Sequence, residues 1–259
     1  MSGTQLTEVN MKTVMITGCS SGFGLETARY FLAQGWRVIA TMRTPQENLL
    51  PRSENLSVLA LDITRKESIE QALAGTGDID VLVNNAGVGM LNALEGVSLD
   101  AINEVFATNT IGTMALIQAI LPRFRQRRAG VIINVTSAVT IAPMPLLSVY
   151  TASKAAINAF TESLALEVSP FNIRVGLVLP GRSPSTRFGE NARRIMGSVP
   201  QAYAPLSQRI FASVQADDPV TRPEDVAQAI WQMANDPTVP MRLPAGADAK
   251  AMADKHAVA

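Results

Sequence analysis

The feature that most constrains this chain is a rhythm of short apolar runs and longer helix-patterned stretches. Val14-Met15-Ile16-Thr17 precedes a helical pattern over about 22–34. Further strand-like runs occupy 37–41, 57–61, 81–83, 131–135 and 174–178. Helical patterns cover about 99–125, with a bend expected, then 149–168 and 223–235. The last opens on Pro223, a residue suited to a first helical turn, with Thr221 or Arg222 at the cap. The strands are apolar at nearly every position, so they belong to a sheet covered on both faces. Strand–helix alternation makes that sheet parallel and doubly wound, an α/β architecture.

No linker or internal repeat divides the 259 residues, so one domain is expected over 12–244. Residues 1–11 read as a disordered leader and 245–259 as an Ala-rich tail. The irregular stretch from about 180 to 218 reads as a lid or binding loop, because loops that long in compact domains are usually functional. No membrane span is expected, because no apolar run reaches that length, and the opening residues are not expected to be a secretory signal. Lys plus Arg equals Asp plus Glu, at 22 each, which gives no general attraction to nucleic acid or an anionic membrane. The run Arg123, Arg125, Arg127, Arg128 is expected to be a solvated helix end. Cys19 is the only cysteine, which excludes an internal disulfide and suits a reducing, cytoplasmic setting.

The stretch Gly18-Cys19-Ser20-Ser21-Gly22-Phe23-Gly24 permits two readings. It fits the G-x-S-x-G elbow of a serine hydrolase. It also fits a glycine-rich turn between a strand and a helix, where backbone N–H groups meet a phosphate. The only histidine, His256, lies four places from the C-terminus, a poor site for a triad base. One histidine and one cysteine also argue against zinc, and no metal site is expected. The turn follows the first strand, where a Rossmann-type sheet carries its phosphate loop.

Several motifs then fall in register. "TGCSSGFG" at 17–24, "NNAG" at 84–87 and Tyr150-x-x-x-Lys154 resemble the signatures of the short-chain dehydrogenase/reductase family. Ser137 stands thirteen residues before Tyr150, Asn109 lies on the long middle helix, and Pro180-Gly181 follows the sixth strand. The resemblance spans about 12–235. It implies catalytic roles for Tyr150, Lys154, Ser137 and Asn109, the last anchoring a water that links Lys154 to solvent. It also implies cofactor contacts from Gly18, Ser20, Ser21, Gly22, Phe23, Gly24, Asp62, Ile63, Asn85, Ala86, Gly87, Tyr150, Lys154, Pro180 and Gly181. Taken singly, Tyr150 and Lys154 are a surface helix pair, Ser137 a cap, Asn84-Asn85 a turn, and Asp62 either a turn cap or an adenine neighbour.

The residues themselves support the chemistry. An i,i+4 pair puts Tyr150 and Lys154 on one helix face. An ammonium beside a phenol favours the phenolate and lowers its pKa, so Tyr150 can exchange a proton with a carbonyl or alcohol oxygen. Ser137 can hold that oxygen. The second strand ends Ala40-Thr41-Met42-Arg43-Thr44, without the acid that accepts from a ribose 2′-hydroxyl in NAD enzymes. Arg43 suits a 2′-phosphate, so NADP(H) is preferred, with NAD(H) as the alternative. "ITGCSSGFG" and "VIATMR" resemble the branch of 17-beta-hydroxysteroid and retinol dehydrogenases, which implies a small hydrophobic alcohol or ketone as substrate. After Gly181 the chain departs from the family's "PGxVxT", leaving Ser185 and Thr186 as alternative nicotinamide contacts. Arg182 and Arg187 are expected to face solvent. Two helices rich in apolar and small residues, around 99–125 and 150–164, imply a homodimer or homotetramer.

Overall fold

In the computed structural model, residues 11–186, 188–214 and 218–257 are described. Residues 1–10 of the expected leader and Arg187 lie outside them. The elements follow in the order β1 (Thr13–Thr17), α1 (Gly22–Ala33), β2 (Arg37–Met42), β3 (Leu56–Ala60), α2 (Lys66–Ala74), β4 (Val81–Asn84), α3 (Leu99–Phe106) and α4 (Thr113–Arg127). After these come β5 (Gly130–Val135), α5 (Ser148–Val168), β6 (Ile173–Pro180), α6 (Phe188–Ile195), α7 (Ala204–Val214), α8 (Pro223–Asn235), β7 (Arg242–Ala245) and α9 (Ala247–Ala257). Among the described residues, seven parallel strands pair in the order β3-β2-β1-β4-β5-β6-β7. The fold is the expected doubly wound α/β sheet in one domain.

The continuous apolar strands have a direct cause. Val14 and Ile16 of β1 enter one core with Phe31, Ile230 and Met233 from α1 and α8. Met15, between them, points the other way and joins Leu116, Ile117, Ile120 and Leu164 from α4 and α5. Alternate side chains leave a strand on opposite faces, so two covered faces require apolar residues at every position.

The expected bend in the middle helix is a π-helical turn, Ala107–Gly112, between α3 and α4. Turns of this kind widen a helix locally and recur at functional sites. By length and composition the helix Leu99–Arg127 is apolar enough to cross a membrane, which corrects the sequence expectation that nothing in the chain is. Its Leu116, Ile117, Ile120 and Phe124 are buried in the second core.

The basic run closes this helix. Arg123 donates to the Leu73 carbonyl at 2.9 Å, Arg128 to the Pro170 carbonyl at 2.8 Å, and Arg127 pairs with Asp78 and Asp80. Arg222 takes the cap position of α8, and its N–H donates to Asp225 at 2.9 Å. Thr221, the alternative cap, is fully buried one residue earlier. The stretch expected as a loop carries α6 and α7. It is tied to the body by Arg194–Glu104 at 2.6 Å and by Tyr203 donating to Glu95 at 2.7 Å.

Candidate active site

The sheet order reverses between β1 and β4, and the loops leaving their carboxyl ends define a cleft of about 470 Å³. Ligands of doubly wound sheets bind at such a reversal. Gly18, Ser20, Ser21, Gly22 and Phe23 line one wall, Asn85, Ala86 and Gly87 the next, and Arg43, Asp62 and Ile63 the far end.

The glycines have distinct tasks. Gly18 and Gly22 have φ of 75° and 58°, a region that L side chains rarely adopt. Gly24 is needed for space, since a Cβ there would run into the Gly18 carbonyl and the Asn85 amide. The loop therefore folds flat onto the start of α1. That helix end has no acidic residue in its first turn, and Ser21 at its cap makes no side-chain capping bond. Its N–H groups keep the partial positive charge of a helix N-terminus, which suits a phosphate. Cys19 points inward instead, donating to the Ile16 carbonyl at 3.3 Å, with burial pushing its thiol up to about 12.

Thr17 opens the TGCSSGFG motif, but it is not among the site residues expected from the sequence. Its hydroxyl accepts from the backbone N–H of Asn85 at 3.0 Å and of Ala86 at 2.9 Å. Asn85 in turn donates to the Thr17 carbonyl at 2.9 Å. The two cofactor-facing loops are thus one unit. Asn84 is not in a turn: it ends β4 and donates to Asn134 at 2.8 Å.

Asp62 caps a turn, accepting from the N–H and hydroxyl of Thr64 at 3.0 and 2.7 Å, and still lines the cleft. Burial acts to raise its carboxyl. The Thr64 bonds, with Arg43 and Arg65 nearby, outweigh this and hold it below the usual range. Arg43 is exposed at the cleft's end.

Tyr150, Ser137 and Lys154 are buried together past the edge of this cleft. They do not line it, and neither do Asn109, Pro180 and Gly181. Phe188 of α6 does, with its ring edge-on to Tyr150 at 5.2 Å between centroids and flush over Gly89. Sequence spacing puts an ammonium next to the phenol, lowering its pKa. The structure differs. Burial pushes the phenol up to about 12, opposed by a hydrogen bond with Ser137, and Lys154 adds no pull. Lys154 itself is directed elsewhere. Its Nζ donates to the Val135 carbonyl at 3.0 Å and sits against Gly87, while burial brings it down to about 8.

Asn109 occupies the π turn, almost fully buried. Its Oδ1 accepts from Val88 N–H at 2.8 Å, and its Nδ2 donates to the Val88 carbonyl at 2.9 Å and to Ser153 Oγ at 3.1 Å. It pins the segment after β4 to the helix that carries Tyr150. Ser137 also caps the short turn Ala138–Thr140, accepting from Val139 N–H at 3.3 Å. Thr186 lines the cleft against Gly22, whereas Ser185 is exposed. Pro180 ends β6, and Gly181 N–H donates to Thr221 Oγ1 at 2.9 Å. His256 lies exposed on α9.

A nicotinamide dinucleotide fits these residues by two observations. The glycine cradle has no room for a Cβ at Gly24, and an uncapped helix end opens on the cleft beside Arg43.

A doubly wound sheet with a glycine cradle at its reversal and a buried Tyr-Lys-Ser group beside it defines a dinucleotide-type oxidoreductase fold. The family model for short chain dehydrogenase matches residues 12–194, and the chain belongs to that family. Retinol dehydrogenase 8 of Homo sapiens is 36% identical over 254 residues, covering 89% of this chain and 80% of that protein. A short-chain dehydrogenase from Streptomyces avermitilis superposes with a TM-score of 0.82 at 31% identity, over 96% of this chain and 92% of that one. Another from Burkholderia cenocepacia, in complex with NADP, superposes with a TM-score of 0.77 at 26% identity, over 95% and 93%. The chain is thus an oxidoreductase of this family, and its relatives include the retinol dehydrogenase branch anticipated from its motifs.

Proposed function

We propose that the protein moves a hydride between NADP(H) and a small hydrophobic ketone or secondary alcohol, with Tyr150 as the acid and base. The carrying observation is the buried grouping of Tyr150, Ser137 and Lys154 at the carboxyl edge of the sheet, beside a cradle that suits a pyrophosphate. When bound in the cleft, the cofactor supplies or accepts the hydride. In reduction Tyr150 gives its phenolic proton to the carbonyl oxygen, and in oxidation it takes the alcohol proton. Ser137 holds that oxygen through its hydroxyl. Lys154, kept in place by the Val135 carbonyl, passes a proton toward Tyr150 and is resupplied from solvent through a water at Asn109. Thr186, not Ser185, faces the nicotinamide, and Pro180-Gly181 shapes the same end. Asp62 and Ile63 border the adenine. The preference for NADP(H) rests on Arg43, with NAD(H) as the alternative, and agrees with the NADP held by the Burkholderia cenocepacia relative. The apolar character of the substrate is supported by Phe188 over Tyr150 and by the name of the human relative. A cytoplasmic setting belongs to the same reading and is supported by the single cysteine. A panel of ketones and secondary alcohols assayed with NADPH, NADH and their oxidised forms tests it. No turnover across the panel with any of them would remove it.

The pH dependence follows from the raised phenol. A group whose folded-state pKa lies near 12 stays protonated through neutral pH. Reduction needs that proton and is expected to hold level between pH 6 and 8. Oxidation needs the phenolate, and its kcat/KM is expected to rise by up to about tenfold per pH unit over the same interval. A reduction rate that falls steeply between pH 6 and 8 would mean the proton donor is not the phenol of Tyr150.

Assembly belongs to the same proposal. Ile111 and Leu166 are 62% and 78% exposed, and Ala152, Ala155 and Ala159 form an exposed strip on α5. A homodimer or homotetramer that covers them would also stiffen the Tyr150 helix. Light scattering at micromolar concentration is expected to give a multiple of 27.7 kDa; an active species of single-chain mass would count against it.

A further inference from the structure

A buried polar cluster lies apart from Tyr150, Ser137 and Lys154, where α9 meets the end of β6. Asp248, in the first turn of α9, is 9% exposed, and Thr221 is fully buried. Asp248 Oδ2 accepts from Arg182 N–H at 2.6 Å, and Oδ1 accepts from Thr221 Oγ1 at 2.6 Å. Thr221 Oγ1 accepts from Gly181 N–H at 2.9 Å, and its own N–H donates to the Arg182 carbonyl at 2.8 Å. Two consecutive backbone N–H groups past β6 are therefore held by one carboxylate and one hydroxyl. The packing leaves no slack. A Cβ on Gly181 would fall on the Asp248 carboxylate, and one on Gly246, at φ 96°, on Thr221. The same helix packs against the turn Ala138–Thr140 that Ser137 caps.

We propose that Asp248, acting through Thr221, is a positioning residue that fixes the Gly181-Arg182 turn and thereby the nicotinamide end of the cofactor site. The inference rests on the reading that the cleft takes NADP(H). The geometry separates the two halves of that ligand. The glycine loop, Arg43 and Asp62 are carried by β1, β2 and β3 rather than by α9. The turn at Gly181 leads directly to Thr186 in the cleft wall. Loss of Asp248 takes the partner from the half-buried Arg182 N–H and lets the turn drift, while the adenosine half stays formed. Asparagine keeps the arrangement. Its carbonyl accepts from Arg182, its amide donates to Thr221 Oγ1, and the threonine hydroxyl turns to the Ala245 carbonyl, 2.8 Å away.

The test is fluorescence titration with NADPH, and with 2′,5′-ADP as a probe of the adenosine half, on wild type and four variants. Asp248→Ala and Thr221→Val are expected to raise the NADPH Kd up to about tenfold, bounded by the strength of the internal hydrogen bond to a charged group that each removes. Affinity for 2′,5′-ADP is expected to stay at the wild-type value in both. Asp248→Asn and Thr221→Ser are expected to restore NADPH binding. Unchanged NADPH affinity in Asp248→Ala and Thr221→Val would overturn the inference. Equal weakening of both ligands would also overturn it, since that marks a general loosening of the fold. Failure of Asp248→Asn to rescue would overturn the hydrogen-bond account. Failure of the wild type to bind NADPH would instead sink the cofactor reading and the inference together.

Discussion

Tyr150→Phe is expected to lower kcat by roughly 10²–10⁴-fold in both directions, the range of general acid–base catalysis. The ring stays, so its edge-on packing with Phe188 and the shape of the pocket survive. Removing the hydroxyl deletes the only proton this ring can exchange. It also frees the Ser137 hydroxyl, which still has Val139 N–H as a partner. Stability should change little, because a buried phenol gains little from a single hydrogen bond. Steady-state rates, circular dichroism and NADPH titration on one preparation check this. A kcat within a few-fold of wild type in a well-folded variant would remove Tyr150 from the reaction. A lost kcat together with lost NADPH binding would point to a binding role instead.

How much of this was legible beforehand depends on the range over which each interaction acts. The strands of β1, β2, β4, β5 and β6 are apolar on both faces, so any short window betrays them. β7, Arg242–Ala245, escapes because it is a four-residue edge strand paired on one side only and contains Pro244. α2 escapes because only Ile69, Ala72 and Leu73 of its nine residues are buried. The glycine loop and the Tyr150–Lys154 pair are local patterns and stand out. Thr17, Phe188 and Asp248 are not local. Thr17 acts on residues 68 and 69 places away, and Asp248 on one 66 places away. The motif that Thr17 opens marks its position but not its partners, and nothing near Phe188 or Asp248 marks theirs. The tail that composition presents as loose and Ala-rich holds Asp248 for the same reason: alanine content reports propensity, not what one side chain in the first turn will meet. The lowered phenol pKa failed on a further ground. Spacing puts Lys154 on the correct face, but burial and the Val135 carbonyl decide where its charge goes.

Arg43→Ala is expected to weaken NADPH far more than NADH. Only NADPH carries the 2′-phosphate, and a guanidinium meets a phosphate through paired donors. A charged hydrogen bond contributes about 1.5–3 kcal/mol, or roughly 10- to 150-fold in Kd. Arg43 is exposed, so salt screening pulls the effect toward the lower end, and the difference should shrink as ionic strength rises. Asp62 sharpens the argument. It is the nearby acid that could accept from a ribose hydroxyl, but one of its oxygens already serves Thr64, and Arg43 helps hold it ionised. Removing Arg43 therefore deletes the phosphate partner and leaves an anion close to where the phosphate would sit. That anion repels NADPH and leaves NADH little affected. The ratio of the two Kd values, measured by titration at low and at physiological salt, is the quantity to follow. Loss of affinity by equal factors for both cofactors, at both salt concentrations, would show that Arg43 does not read the phosphate.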